Sequence, residues 1–240
     1  MGLVKSSGIV FKVSKYRETS IISDIYTREL GLRSYIVNGV RKAKSQFPSA
    51  LFQIGNVLDL VVYDKNPQQL NRIKEVGLGL IYHEIPYKIE KSSVHIFIME
   101  LLGKSIKEHE ANHPMFEFLV QEFKQLDSIQ SGVQYFHLKF MLDLSVFLGF
   151  RPLNNFTDVK PFFNLQEGIF ESNSNTLYHL DKERSRLLAE LLQISYDDLK
   201  DLKIQKSLRI SMIEDLLKYY QYHVEGFHTL KSFEIYRQLF

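Results

Sequence analysis

The chain has 240 residues, 45% of them hydrophobic and 24% charged, a composition that should fold around a real core as one large domain or two small ones. It contains no cysteine, which excludes a disulfide framework, a thiolate nucleophile and any cysteine-ligated zinc or iron–sulfur centre. The net charge is only +2, but residues 1–80 hold 12 Lys and Arg against 6 Asp and Glu, while residues 81–240 hold 18 against 22. A basic first third followed by an acidic remainder points to a polyanion-binding segment joined to a part with other partners.

From Gly8 to Leu78 the pattern is that of strands. Ile9, Phe11 and Val13 alternate with Val10, Lys12 and Ser14, and Ile21, Ile22, Ile25 and Tyr26 follow in a second run. After the turn-like Glu29-Leu30-Gly31, a third run places Leu32, Ser34 and Ile36 on one face and Arg33, Tyr35 and Val37 on the other, predicting a basic, aromatic face. Asn38-Gly39 closes that run, and the polar loop Arg41-Lys42-Ala43-Lys44-Ser45-Gln46 leads to Pro48. Val57 to Tyr63 and Leu70 to Leu78, separated by a turn around Asn66-Pro67, complete five strands in about seventy residues, which suits a small closed barrel.

After Ile85-Pro86 the period changes to about 3.6. Ile96, Met99, Leu102, Gly103 and Ile106 form one stripe of a helix that frays near Asn112; His113-Pro114 opens a second with Phe116, Leu119, Val120 and Phe123 inward; Gly132 precedes a third running through Phe136, Phe140, Leu144 and Phe147 to Gly149. Residues 151–180 lack a helical period and read as an irregular or short β-hairpin insertion. Asp181 fits an N-cap for a helix through Leu192, Ser195 with Asp198 resembles a capping box for a short one, and a last long helix over about 206–224 is followed by a final turn or two over 229–239. The domains predicted are thus 1–80 and 81–240.

Catalytic signatures are missing: GxxxxGK[ST], GxSxG, HExxH and the D-x-D-x-D-G loop do not occur, and the expectation is a protein that is not an enzyme and needs no cofactor or metal. Gly77-Leu78-Gly79 lacks the third glycine of a dinucleotide loop, and His109 with His113 lacks further ligands at metal spacing. No apolar run reaches the ~18 residues of a membrane span, and lysines interrupt the N-terminal segment too often for a signal peptide. The prediction is a cytoplasmic protein with no membrane partner. The strongest signal is Lys12, Lys15, Arg17, Arg33, Arg41, Lys42 and Lys44 within 33 residues, interleaved with Tyr16, Tyr26 and Tyr35. Cations neutralise phosphates and aromatic faces stack on unpaired bases, so the seven cations together with Tyr35, the candidate stacking residue, are the candidate nucleic-acid-binding set.

The run GIVFKVSKYRETSIISDIYTRELGLRSYIVNGVRKAKS, then LGFRP at 148–152 and LLKYYQYHVEGFHTLKS at 216–232, resembles the bacterial recombination and repair family RecO, in that order and over nearly the whole chain. The resemblance implies an α+β protein: an N-terminal OB-fold β-barrel, then an all-α helical domain with a short insertion. It also implies binding to single- and double-stranded DNA, annealing of complementary strands, and partnership with RecR and the single-strand-binding protein in loading RecA, hence a place at the nucleoid. An alternative is a docking adaptor whose barrel binds RecR and meets DNA only in that complex. Many family members carry a four-cysteine zinc site after LGFRP; this chain has none, so Phe156, Phe162, Phe163, Ile169 and Phe170 are expected to hold the insertion. The aromatic helix ending in Tyr219, Tyr220 and His223 is a candidate groove for the acidic tail of the single-strand-binding protein.

Overall fold

The computed structural model describes residues 2–40, 47–66, 69–174 and 177–239. Alternating burial in the first eighty residues produces five strands: β1 (Gly2–Lys15), β2 (Ile21–Thr27), β3 (Gly31–Val37), β4 (Val57–Asp64) and β5 (Asn71–Leu78). They close into a barrel in the order β1-β2-β3-β5-β4, antiparallel except for a short parallel pairing of β3 with β5 at Tyr35–Asn71 and Ile36–Arg72. This is the five-stranded OB topology. β1 starts six residues before the predicted strand because its first half pairs with β4 and its second half with β2, so one strand serves two neighbours.

The interior is apolar, built on Val10, Ile25, Tyr35, Leu58, Leu60 and Val62. A register shift in β1 between Val10 and Lys12 breaks the alternation there. Val10 and Val13 both meet the core, while Phe11 stacks on Tyr26 at 5.5 Å and Tyr26 in turn meets Phe116 at 6.2 Å.

Six helices follow among the described residues: α1 (Ile89–Ser105), α2 (His113–Ser128), α3 (Val133–Phe147), α4 (Lys182–Leu191), α5 (Lys206–His223) and α6 (Ser232–Leu239). α1 stops seven residues short of the predicted fraying point, and Ile96, expected on its inner stripe, is exposed. None of the described helices is long and apolar enough to cross a membrane. The chain divides into two compact units, Met1–Tyr87 with Ile98–Asp127 and Lys88–Phe97 with Ser128–Phe240. The first unit therefore holds α2 as well as the barrel. Asp127, at the end of α2, accepts backbone N–H bonds from His83, Glu84 and Ile85, each at 2.8 Å, and so fixes the segment leaving β5.

In the second unit α3 is the central element, with its carbonyls at Met141 and Gln134 taking the hydroxyls of Tyr220 and Tyr236, each at 2.7 Å. The 151–180 insertion contains the expected hairpin, β6 (Phe162–Asn164) paired with β7 (Ile169–Glu171). Phe163 and Phe170 are buried against each other at 4.9 Å, and Phe156 meets Phe170 edge-on at 5.4 Å. His179 donates to Glu171 at 2.6 Å and Asn164 to the same oxygen at 3.1 Å, which holds the Glu171 carboxyl below the usual carboxylate range. Aromatic packing plus one short hydrogen bond thus closes the hairpin.

Also in this unit, α3 carries His137, fully buried between Phe97 and Tyr236 with neither ring nitrogen hydrogen-bonded among the described residues. Burial first, and Arg209 second, push its pKa down to about 3. A histidine whose folded pKa is lowered contributes stability above its unfolded pKa, about 6.5, and loses it as pH falls toward the folded value. His137→Phe is therefore expected to gain about 2 kcal/mol on the parent between about pH 7.5 and about pH 5. Urea unfolding at the two pH values checks this, and parallel losses in both proteins would contradict it.

Candidate nucleic-acid interface

Strand register assembles a surface that linear sequence does not show. Across the outside of the barrel, Ser14 pairs with Ile22, Ile22 with Ile36 and Ile36 with Arg72, while Lys12 pairs with Asp24 and Asp24 with Ser34 in the row beside it. Lys12 and Arg72 are exposed, Ile22, Asp24, Ser34 and Ile36 are half-buried, and Ser34 donates to Asp24 at 2.6 Å. Lys15 ends β1, and Tyr16 and Arg17 follow in the turn to β2, all three exposed. The same pairings carry the β1–β2 turn, the end of β3 and the start of β5 to one end of this surface. Exposed Lys65 opens the β4–β5 turn just before it. In the OB topology the outer face of strands 2 and 3, flanked by these two turns, is the usual oligonucleotide surface.

The predicted site residues separate. Lys12 lies on this surface, while Lys15, at the end of β1 in register with buried Ile21, and Arg17, in the β1–β2 turn, are exposed at its edge. Arg41, Lys42 and Lys44 lie outside the described residues. Arg33 and Tyr35 are a correction: the faces of β3 are the reverse of those expected, with Gly31, Arg33, Tyr35 and Val37 inward and Leu32, Ser34 and Ile36 outward. Tyr35 is wholly buried in the barrel core, and burial raises its hydroxyl pKa well above the ordinary value. Arg33 is 6% exposed, donates to the carbonyls of His109 at 2.6 Å and Leu32 at 3.0 Å, and lies 3.5 Å from Asp64. A cation so bound is a bolt between β3 and the segment joining α1 to α2 and is not free for phosphate.

Gly31 allows that segment to approach. It adopts φ +68°, and a side chain there would overlap the backbone of Glu110 and come within 2.8 Å of the carbonyl carbon of His109. Leu32 N–H donates to Glu108 at 3.2 Å, and the imidazole of His109 bonds the Leu32 carbonyl at 2.9 Å. At the same end, Arg28 spends its charge on Glu117 and Glu29, both at 2.6 Å, and His113 meets Glu29 at 3.2 Å. The sequence reading missed Lys65 and Arg72, because the only signal for Arg72 is its parallel pairing with Ile36.

The C-terminal prediction is also corrected. Tyr219 and Tyr220 are buried core residues whose hydroxyls donate to Phe150 at 2.5 Å and Met141 at 2.7 Å. His223, half-buried, stacks on Phe150 at 5.3 Å and bonds the Leu165 carbonyl at 3.0 Å. Their role is to seat Phe150 and the insertion on α5, so the two tyrosine hydroxyls and the imidazole are spent on internal contacts. No group of three or more potential metal ligands occurs among the described residues.

A closed OB barrel with a basic outer face, joined to a helical region carrying a β-hairpin, defines the class: an OB-fold protein of the α+β type. Residues 1–79 match the family described as "Recombination protein O N terminal" and residues 86–232 that described as "Recombination protein O C terminal". The chain is 32% identical over 239 residues to a DNA repair protein RecO of Christiangramia forsetii and 33% identical over 238 residues to that of Flavobacterium psychrophilum. It is also 29% identical over 240 residues to that of Bacteroides fragilis, and each of these pairings covers 99% of both chains. The chain belongs to the RecO family of DNA repair proteins.

Proposed function

We propose that this chain acts without catalysis, in the cytoplasm, binding single- and double-stranded DNA through the barrel's outer face without reading sequence. The observation that carries this is the exposed set Lys12, Lys15 and Arg72, carried on paired strands, with exposed Arg17 in the β1–β2 turn beside them. Lysines and arginines beside aliphatic Ile22 and Ile36 are placed to contact phosphates, which fix position and carry no sequence information. Two strands held with their charges screened and their bases free then anneal. Partnership with RecR, and through it loading of RecA on strands covered by the single-strand-binding protein, belongs to the same reading. Binding of a labelled oligonucleotide by the full chain across a salt series tests it, with a steep negative log–log slope expected. Binding seen only after RecR is added would instead support the docking-adaptor alternative.

For the acidic tail of the single-strand-binding protein, the surface that fits is a groove of about 510 Å³ between α4 and the start of α5. Leu187, Ile204 and Leu208 supply apolar lining, and the exposed cations Lys182, Arg186 and Lys203 outnumber the carboxylates of Glu183 and Glu190 on the same lining. Calorimetry with a synthetic tail peptide is expected to show binding that Arg186→Glu with Lys203→Glu weakens about tenfold or more. Equal heats for parent and variant would place the tail elsewhere.

A further inference from the structure

On the outer surface formed by β1, β2 and β3, the exposed and half-buried side chains of the two rows aligned above are Lys12, Ser14, Ile22, Asp24, Ser34 and Ile36, and no ring is among them. Tyr26 and Tyr35, which the sequence interleaves with the cations, are both wholly buried. Tyr16 is different. It is 43% exposed, at the tip of the β1–β2 hairpin, one residue beyond Lys15 at the end of β1. The turn that carries it is held firmly: the N–H groups of Tyr16 and Arg17 both donate to the Ser20 carbonyl, at 3.0 and 3.4 Å, and buried Ser20 donates its hydroxyl to Asn38 at 3.0 Å. The Arg17 guanidinium lies over the Tyr16 ring, 5.2 Å from its centroid. An exposed ring on an anchored turn, backed by a cation and set beside phosphate-neutralising lysines, is the physical recipe for stacking an unpaired base.

We propose that Tyr16, positioned by Arg17, is the base-contacting residue of this barrel, taking one unpaired base on its ring while Lys12, Lys15 and Arg72 hold the adjacent phosphates. The inference rests on the DNA-binding reading above. It makes discrimination between single strand and duplex a property of one side chain, because bases stacked inside a duplex cannot reach a ring at the hairpin tip without unpairing. It also separates two contributions to binding, a salt-dependent one from the cations and a salt-independent one from the ring.

Fluorescence anisotropy with the full chain tests it on three probes of equal length: a mixed-sequence single strand, its duplex, and a single strand of abasic sugar-phosphate. Tyr16→Ala is expected to weaken binding to the base-bearing single strand about tenfold, to leave duplex and abasic strand within about twofold of the parent, and to leave the salt slope unchanged. Tyr16→Phe, which keeps the ring, is expected to bind like the parent, and a thermal melt of each variant reports that the barrel is intact. Equal loss on all three probes, or no loss on the single strand, overturns the assignment of Tyr16 while the DNA-binding reading stands. A parent protein that binds none of the probes overturns both.

Discussion

Replacing Lys12, Lys15 and Arg72 together by Ala is expected to lower affinity for a mixed-sequence single-stranded oligonucleotide on the order of a hundredfold at physiological salt, and to reduce the salt slope by about 2. Each of the three is exposed and outside any ion pair among the described residues, so each is available to neutralise one phosphate and release its counterion. For the same reason the variant should melt within about 0.5 kcal/mol of the parent. Arg33→Ala is the informative contrast. It removes a cation from the same strand cluster, but that cation is bound to the His109 and Leu32 carbonyls, so its loss should appear as lowered stability with the salt slope intact. Affinities of both variants across a salt series, set beside their melting curves, decide the matter. An unchanged slope in the triple variant would remove this face from the interface and leave the expectation on Arg41, Lys42 and Lys44, which stands on sequence alone.

Gly31→Ala is expected to destabilise the barrel unit by about 3 kcal/mol or more. The left-handed backbone costs a non-glycine residue about 1–2 kcal/mol by itself. The new methyl group would also overlap the Glu110 backbone, which cannot rotate away as a side chain could. Relief requires the 108–110 segment to lift, and that breaks the Leu32 N–H bond to Glu108, the His109 bond to Leu32 and the Arg33 bond to His109. At about 1 kcal/mol each, these losses exceed the backbone penalty. Gly77→Ala serves as the control, because a side chain there meets nothing within 4 Å and φ is not positive. Chemical denaturation should separate the two variants by several kilocalories per mole, and coincident transitions would mean that the segment is not held against β3 as described.

How much of this could be read without the structure differs by feature. The five strands, the hairpin in the insertion, the Asp181 cap, whose carboxylate accepts from Arg184 N–H at 2.9 Å, and the Ser195–Asp198 contact follow from local rules of period and capping, and the structure has them. The charge asymmetry and the family are likewise properties of the chain as written. The orientation of β3 is not. Period two divides Arg33 and Tyr35 from Leu32, Ser34 and Ile36, but it does not say which set is inside, and ordinary preference turns an arginine outward. Here a backbone carbonyl 76 residues away accepts from the guanidinium and Asp64 lies 3.5 Å from it, so the strand can bury Arg33 and present Leu32, Ser34 and Ile36 instead. Arg72 enters the interface only through a parallel pairing that closes the barrel. Local sequence thus determined the elements and the presence of a basic barrel, while the choice of inner face, and with it the exposed cations and the exposed ring of Tyr16, was decided by contacts between residues far apart in the chain.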